Sequence, residues 1–315
     1  MLDQLKGYFQ AATDLEVYDA LGVDKICWVE APWKRTAFAS ESDSIHFNQW
    51  SVGTIEKPYN GGVYTETVRH PLRTCTCIQE LKDFPWPCIN DFDFVELQRQ
   101  CSYYGGRMQM LTFVSLFEIY CSMRSLEQAL MDLYMYPELV DFSLDRICGL
   151  QVEYIDRALE EAPGIDLVYY SDDMGMQDRA MFSTETWKDR IQPFAKIIVD
   201  LVHKHGKQVF YHSDGAAYEI INELVELGID ILNPIQYRCP GMERERLKKS
   251  FGDRVVFHGA VENQQILPFG TPEQVRKEVR KCEESLGAEG GYIVAPCHNL
   301  QPNTPIENIL TLYKK

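Results

Sequence analysis

A chain of 315 residues is long enough for one large domain or two ordinary ones, and 45% hydrophobic with 12% aromatic residues supplies a sizeable core. A net charge of −16 leaves no basic face for a sequence-independent grip on nucleic acid or an anionic membrane. No apolar run approaches the roughly eighteen residues of a membrane span, and the start MLDQLKGYFQAATDLEVYDALGVD lacks the blocks of a signal peptide. A cytoplasmic protein is expected. Of the ten cysteines only Cys75 and Cys77 are close, and that pair has no second half to complete a zinc site. Reduced, mostly buried thiols are expected.

In chain order, Asp14 to Leu21 predicts a short helix closed by Gly22, and Lys25 to Glu30 a strand. From Trp33 to Phe94 the pattern becomes an irregular cover with short strands. Within it, Ile55 to Thr67 around Asn60-Gly61-Gly62 reads as a hairpin whose turn needs positive φ. Phe84-Pro85-Trp86-Pro87 is an extended connector. After Gly105-Gly106 a strict alternation begins. Strands are expected at Arg107 to Val114, Leu167 to Asp173, Gln208 to Asp214, Ile231 to Gln236, Val255 to Val261 and Tyr292 to Cys297. Helices are expected at Ser125 to Tyr134, Pro137 to Glu161, Thr186 to His205, Tyr218 to Leu227, Met242 to Phe251, Thr271 to Leu286 and Pro305 to Tyr313.

Several of these strands are near-continuous apolar runs, as parallel strands covered on both faces must be. Crossovers this short favour a (β/α)8 TIM barrel over a doubly wound sheet, and neither G-x-G-x-x-G nor a Walker motif is present. The expected organisation is a single α/β domain over 1–315, an N-terminal cover region at 1–104 and the main barrel units at 105–315.

The carboxyl ends of these strands are polar one after another. They carry Tyr170, Asp172 and Asp173, with Gln177 beyond; His212 and Asp214; Asn233, Gln236 and Tyr237; His258 and Glu262; and Cys297, His298 and Asn299. A barrel places its site on this rim. Taken singly, Asp172 and Asp173 could cap the next segment, and His258 could be a satisfied core histidine. His212 and Asp214 are sharper, because residues two apart on a strand face the same side. An imidazole and a carboxylate on one face form either a metal pair or an oriented acid–base pair. Cys297 or His298 could complete a three-ligand site with an open position.

The stretches YYSDDMGMQ (169–177), HKHGKQVFYHSDG (203–215), ELGIDILNPIQ (226–236), FGDRVVFHGAVENQQILPFGTPEQVRKEV (251–279) and GGYIVAPCHNLQPNTPIENIL (290–310) resemble the uroporphyrinogen decarboxylase superfamily, which includes corrinoid-linked methyltransferases. The first hundred residues match only through ALGVD and HPL…FPWP, and the chain is expected to begin later than typical relatives. The resemblance implies a TIM barrel and two chemistries. Decarboxylases hold a porphyrinogen bearing eight carboxylates with an arginine-rich N-terminal motif, where this chain has only Trp33-Lys34-Arg35.

The methyltransferase branch binds zinc through His-x-Cys and a later Cys. Here His212 matches the histidine, Asp214 stands in place of the first cysteine and His298 in place of the second, with Cys297 adjacent. Such N and O ligands make a stronger Lewis acid than thiolates. The resemblance therefore implies a zinc-assisted demethylase that moves a methyl group from a small methoxy or methylamine substrate to a corrinoid. No D-x-H-x-x-G is present, so a corrinoid-binding partner protein would bring the cofactor. Asp173, Tyr170 and Asp172 would supply protons or orient the substrate, and Gln177, Gln236, His258, Glu262 and Asn299 would line its pocket. A homodimer is left open. The alternatives are a decarboxylase and a barrel that binds a small molecule without turnover.

Overall fold

The computed structural model describes residues 1–34, 45–59 and 62–313. Its strands are β1 (Cys27–Val29), β2 (His46–Phe47), β3 (Gly53–Tyr59), β4 (Gly62–Arg69), β5 (Gln109–Val114), β6 (Leu167–Ser171), β7 (Gln208–His212), β8 (Ile231–Asn233), β9 (Val256–Val261) and β10 (Tyr292–Pro296). Seven of them form one parallel sheet in the order β1-β5-β6-β7-β8-β9-β10, with helices between them in sequence. The fold is α/β and TIM-barrel-like. Where eight strands were expected, seven are paired among the described residues, and β1 and β10 are the two edges.

The first hundred residues thus contribute a strand to the barrel sheet, as well as a separate antiparallel sheet in the order β2-β3-β4. The expected hairpin is β3 with β4, in register from Thr54↔Thr67 to Tyr59↔Gly62. Its turn residues Asn60 and Gly61, and Arg35 of the Trp33-Lys34-Arg35 stretch, lie outside the described residues.

Local chemistry fixes the element ends. Thr271 accepts the N–H of Gln274 while the Gln274 side chain reaches back, and Pro272 follows in the first turn, so the helix Pro272–Ser285 starts there. Pro137 opens the 25-residue helix Pro137–Glu161, and Gly228, at φ 106°, closes Tyr218–Leu227. The single helix expected from Thr186 to His205 is two, Thr184–Arg190 and Gln192–Lys204. The break falls at Ile191 because Pro193, lacking an N–H, belongs in a first turn.

The sheet has two packed faces. On the concave one, Met110, Leu167, Phe210 and Ile231 are joined by Ile26, Val256 and Ile293, one from or beside each strand of the sheet. The larger core lies between the outer face and the helices. It includes Leu111, Val168, Tyr170, Val209, Tyr211, Leu232 and Phe257. The alternation of Leu167, Tyr169 and Ser171 inward with Val168 and Tyr170 outward is the two-residue strand period. No described helix is long and apolar enough to cross a membrane, and all ten cysteines are free thiols.

Candidate metal centre at the strand ends

Register brings the site together. Ser171 pairs with His212, and His212 with Asn233, so the three stand at one level across β6, β7 and β8. Beyond the strands the ladder continues: Asp172 N–H donates to His212 O (3.1 Å) and Ser213 N–H to Asn233 O (2.8 Å). The loops after β6 and β7 then cross in contact. A Cβ on Gly175 would lie 2.5 Å from Asp214 O, and one on Gly215, at φ 81°, would lie 2.5 Å from Met176 O. Only glycine at both positions permits this approach. The crossing sets Asp173 against Asp214, whose N–H donates to Asp173 Oδ1 at 2.8 Å.

Three acceptor-bearing side chains converge there. His212 Nε2 lies 3.8 Å from Asp173 Oδ1 and 3.9 Å from Asp214 Oδ2, and one ligand atom from each of the three falls within 4.8 Å of the others. These separations are too long for hydrogen bonds and suit atoms that share an ion. Neither carboxylate pairs with Lys or Arg among the described residues; His212 and His298 are their only ionic neighbours. Asp214 Oδ1 is buried without a hydrogen-bond partner. Burial and the Asp173 charge push the Asp214 carboxyl up, while His212 and His298 pull it down.

The imidazole is held from behind. His212 Nδ1–H donates to Asn233 Oδ1 at 2.7 Å, and Asn233 Nδ2–H donates to His258 Nδ1, also at 2.7 Å. With Nδ1 protonated, Nε2 presents its lone pair to the carboxylates, the tautomer a metal ligand needs. Burial lowers His258 to about 4, so it stays neutral and able to accept. Two carboxylates, one of them with an orphaned buried oxygen, and an imidazole lone pair fit a divalent cation such as zinc. That cation, when bound, would act as a Lewis acid.

Other expected residues take different places. Asp173 occupies the third position of the cluster that His298 was expected to fill; His298 stands beside it, Nε2 3.9 Å from Asp214 Oδ2. Cys297 is turned away: its thiol donates to Ile235 O at 3.2 Å, and burial pushes it well above the ordinary range. Tyr170 and Asp172 face the helical layer, not the site, because strand parity sends them opposite to Asp173. Tyr170 stacks edge-on to Tyr211. The buried Asp172 carboxylate accepts Ser115 Oγ–H (3.0 Å), Leu116 N–H (3.2 Å) and Glu118 N–H (2.9 Å), which anchors the helix Phe117–Arg124. Burial raises it to about 6 against the pull of those donors.

Glu262 is likewise a cap, accepting the N–H groups of Gln264, Gln265 and Ile266. Gln236 Oε1 accepts Gly215 N–H at 2.7 Å, beside the cluster, and Gln177 donates to Cys239. Asn299 is exposed on the loop after β10.

Glu118 and Asn263 were missed by the sequence reading. Glu118 reaches Ser171 Oγ at 2.8 Å. Burial, together with the Asp172 and Asp173 charges, raises it from 4.5 to about 8. Its only signal was an acid in the first turn after a strand. Asn263 is two residues past the expected strand end at Val261, at 8% exposure.

The arrangement defines a parallel β/α barrel with an acid–imidazole centre at the carboxyl ends of its strands. The uroporphyrinogen decarboxylase (URO-D) profile matches residues 97–315, and the chain belongs to this family. Curated relatives include the uroporphyrinogen decarboxylase of Psychromonas ingrahamii, 23% identical over 177 residues, which are 55% of this chain and 46% of that protein. The uroporphyrinogen decarboxylase of Coxiella burnetii is 23% identical over 183 residues, 57% of this chain and 47% of that protein. The match spans about half the length of these relatives. Among solved structures, a methyltransferase from Methanosarcina mazei superposes with a TM-score of 0.64 at 16% identity, covering 98% of this chain and 88% of that one.

Proposed function

We propose that the protein is a metal-assisted methyltransferase that takes a methyl group from a small methoxy or methylamine compound and delivers it to a corrinoid carried by a partner protein. The observation that supports this is the convergence of Asp173, His212 and Asp214 on one point with no Lys or Arg paired to either carboxylate among the described residues. Those three residues would hold the ion, which would polarise the donor's oxygen or nitrogen. The superposed structure supports the fold alone at its level of identity.

The protein's own residues supply the rest. Asn233 and His258 hold His212 in the required tautomer. When the methyl group departs, the oxygen or nitrogen left behind gains negative charge and needs a proton. Glu118, raised to about 8, retains one at neutral pH and sits beside Ser171 and Asp173 as the donor. Gln236, tied to the Gly215 N–H, walls the cavity that borders Asp214 and His298.

Porphyrinogen decarboxylation is the second reading, favoured by the names of the curated relatives. Among the described residues that line the cavity beside the centre none is Lys or Arg, the side chains a substrate bearing eight carboxylates would pair with.

The test pairs composition with activity. Protein purified without chelator should carry about one equivalent of divalent metal, lost in His212→Ala and Asp173→Ala. It should also transfer methyl groups to free cobalamin in the Co(I) state from a panel of methoxyarenes and methylamines. Metal-free wild type would remove the ligand assignment, and uroporphyrinogen decarboxylation without methyl transfer would reverse the two readings.

A further inference from the structure

The cavity that borders the metal centre has a volume of about 520 Å³ and is lined by Asp214, Gln236, Asn263, Gln264, Pro268, Phe269, His298, Gln301 and Asn303. Five of these nine side chains are carboxamides, and none is Lys or Arg. Two of the amides are poised. Gln236 spends its oxygen on Gly215 N–H, so its amide nitrogen is the end left to donate. Asn263 is 8% exposed, yet its carboxamide makes no hydrogen bond to another protein group among the described residues. Its amide atoms are not sealed from solvent, so water or a ligand in the cavity it lines can complete them.

Asn263 is placed there by its neighbours. It follows β9, within which Gly259 and Ala260 both have positive φ (104° and 71°) while remaining paired with Val294 and Ala295 of β10. Glu262, immediately before it, is pinned by three backbone N–H groups and fixes the turn. The backbone around Asn263 is therefore rigid while its side chain is uncommitted, the arrangement of a recognition group.

We propose that Gln236 and Asn263 form the recognition edge for an uncharged ligand carrying adjacent hydrogen-bond donor and acceptor groups, such as a primary amide, and that this cavity rejects carboxylates. A carboxamide pair can donate to and accept from such a ligand at once, whereas a carboxylate offers only acceptors and finds no Lys or Arg among the described residues that line the cavity. The inference rests on the methyl-transfer reading only in taking the ligand to be the methyl donor.

The matched probes are 3-methoxybenzamide and 3-methoxybenzoate, alike in shape and different in charge and donor capacity. Isothermal titration of the chelator-treated protein should give at least about tenfold tighter binding of the amide. Asn263→Leu should lose about tenfold for the amide and little for the benzoate. Gln301→Lys, at an exposed position, should strengthen benzoate binding and narrow the preference. Equal or tighter benzoate binding, no binding of either probe, or an Asn263→Leu variant that binds both like wild type would overturn the proposal. Selective amide binding without methyl transfer to Co(I) cobalamin would uphold this recognition edge and overturn the methyltransferase reading instead.

Discussion

The Nδ1–H of His212 donates to Asn233 Oδ1 at 2.7 Å, and through that contact one asparagine decides which imidazole nitrogen faces the two aspartates. The same asparagine donates to His258 Nδ1, so its own orientation is fixed by a histidine that burial keeps neutral down to about pH 4. Asn233 and His258 are positioning residues: neither belongs to the convergent group, and both act through His212.

Asn233→Leu keeps the volume and removes both hydrogen bonds. Affinity for Co²⁺, read from its visible absorption on titration, should fall about 10- to 100-fold. Asn233→Asp restores an acceptor for His212 Nδ1–H and should recover much of that loss. A leucine variant that binds cobalt like wild type, or an aspartate variant no better than leucine, would remove the positioning role.

Glu118 makes stability depend on pH in a definite direction. Its carboxyl is raised from 4.5 to about 8, first by burial and then by Asp172 and Asp173. Between those values the folded protein keeps a proton that the unfolded chain releases. This group's contribution is therefore fully present below about 4.5 and is lost as pH rises towards 8. Urea unfolding of the metal-free protein should show a decline with a limiting slope of about 1.4 kcal/mol per pH unit from this one group. Glu118→Gln should flatten it, and should also lower methyl-transfer rates while removing their fall above about pH 8. An identical pH slope in wild type and variant would show that the carboxyl is ionised throughout.

Much of the barrel was legible because its parallel strands are apolar on both faces and stop on polar groups, as at Leu167–Ser171 and Gln208–His212. His212 and Asp214 were legible for the same reason. The two-residue period would also have separated Asp173 from Tyr170 and Asp172, had it been applied beyond β7. Other features depend on tertiary contact. Glu118 enters the site from a helix N-terminus that Asp172 anchors, and Asp173 reaches Asp214 only through the Gly175–Gly215 crossing. No local pattern encodes either contact. The break at Ile191 was readable from Pro193, but the amphipathic pattern runs through it.

Adjacent aspartates should therefore respond in opposite ways to the same change. Asp172 is fully buried and accepts from Ser115, Leu116 and Glu118, so Asp172→Ala strands donors on three residues in the interior. The expected loss is about 3 kcal/mol in urea unfolding of the metal-free protein. Asp173 has a side chain 34% exposed that accepts the backbone N–H of Asp214. Asp173→Ala should cost within about 1 kcal/mol of stability, yet abolish stoichiometric metal binding. The opposite ordering, with Asp172→Ala stable and metal-free and Asp173→Ala unfolded and metal-bound, would exchange their roles. That ordering would require strand β6 to be shifted by one residue, which its register with β7 from Leu167↔Gln208 to Ser171↔His212 does not allow.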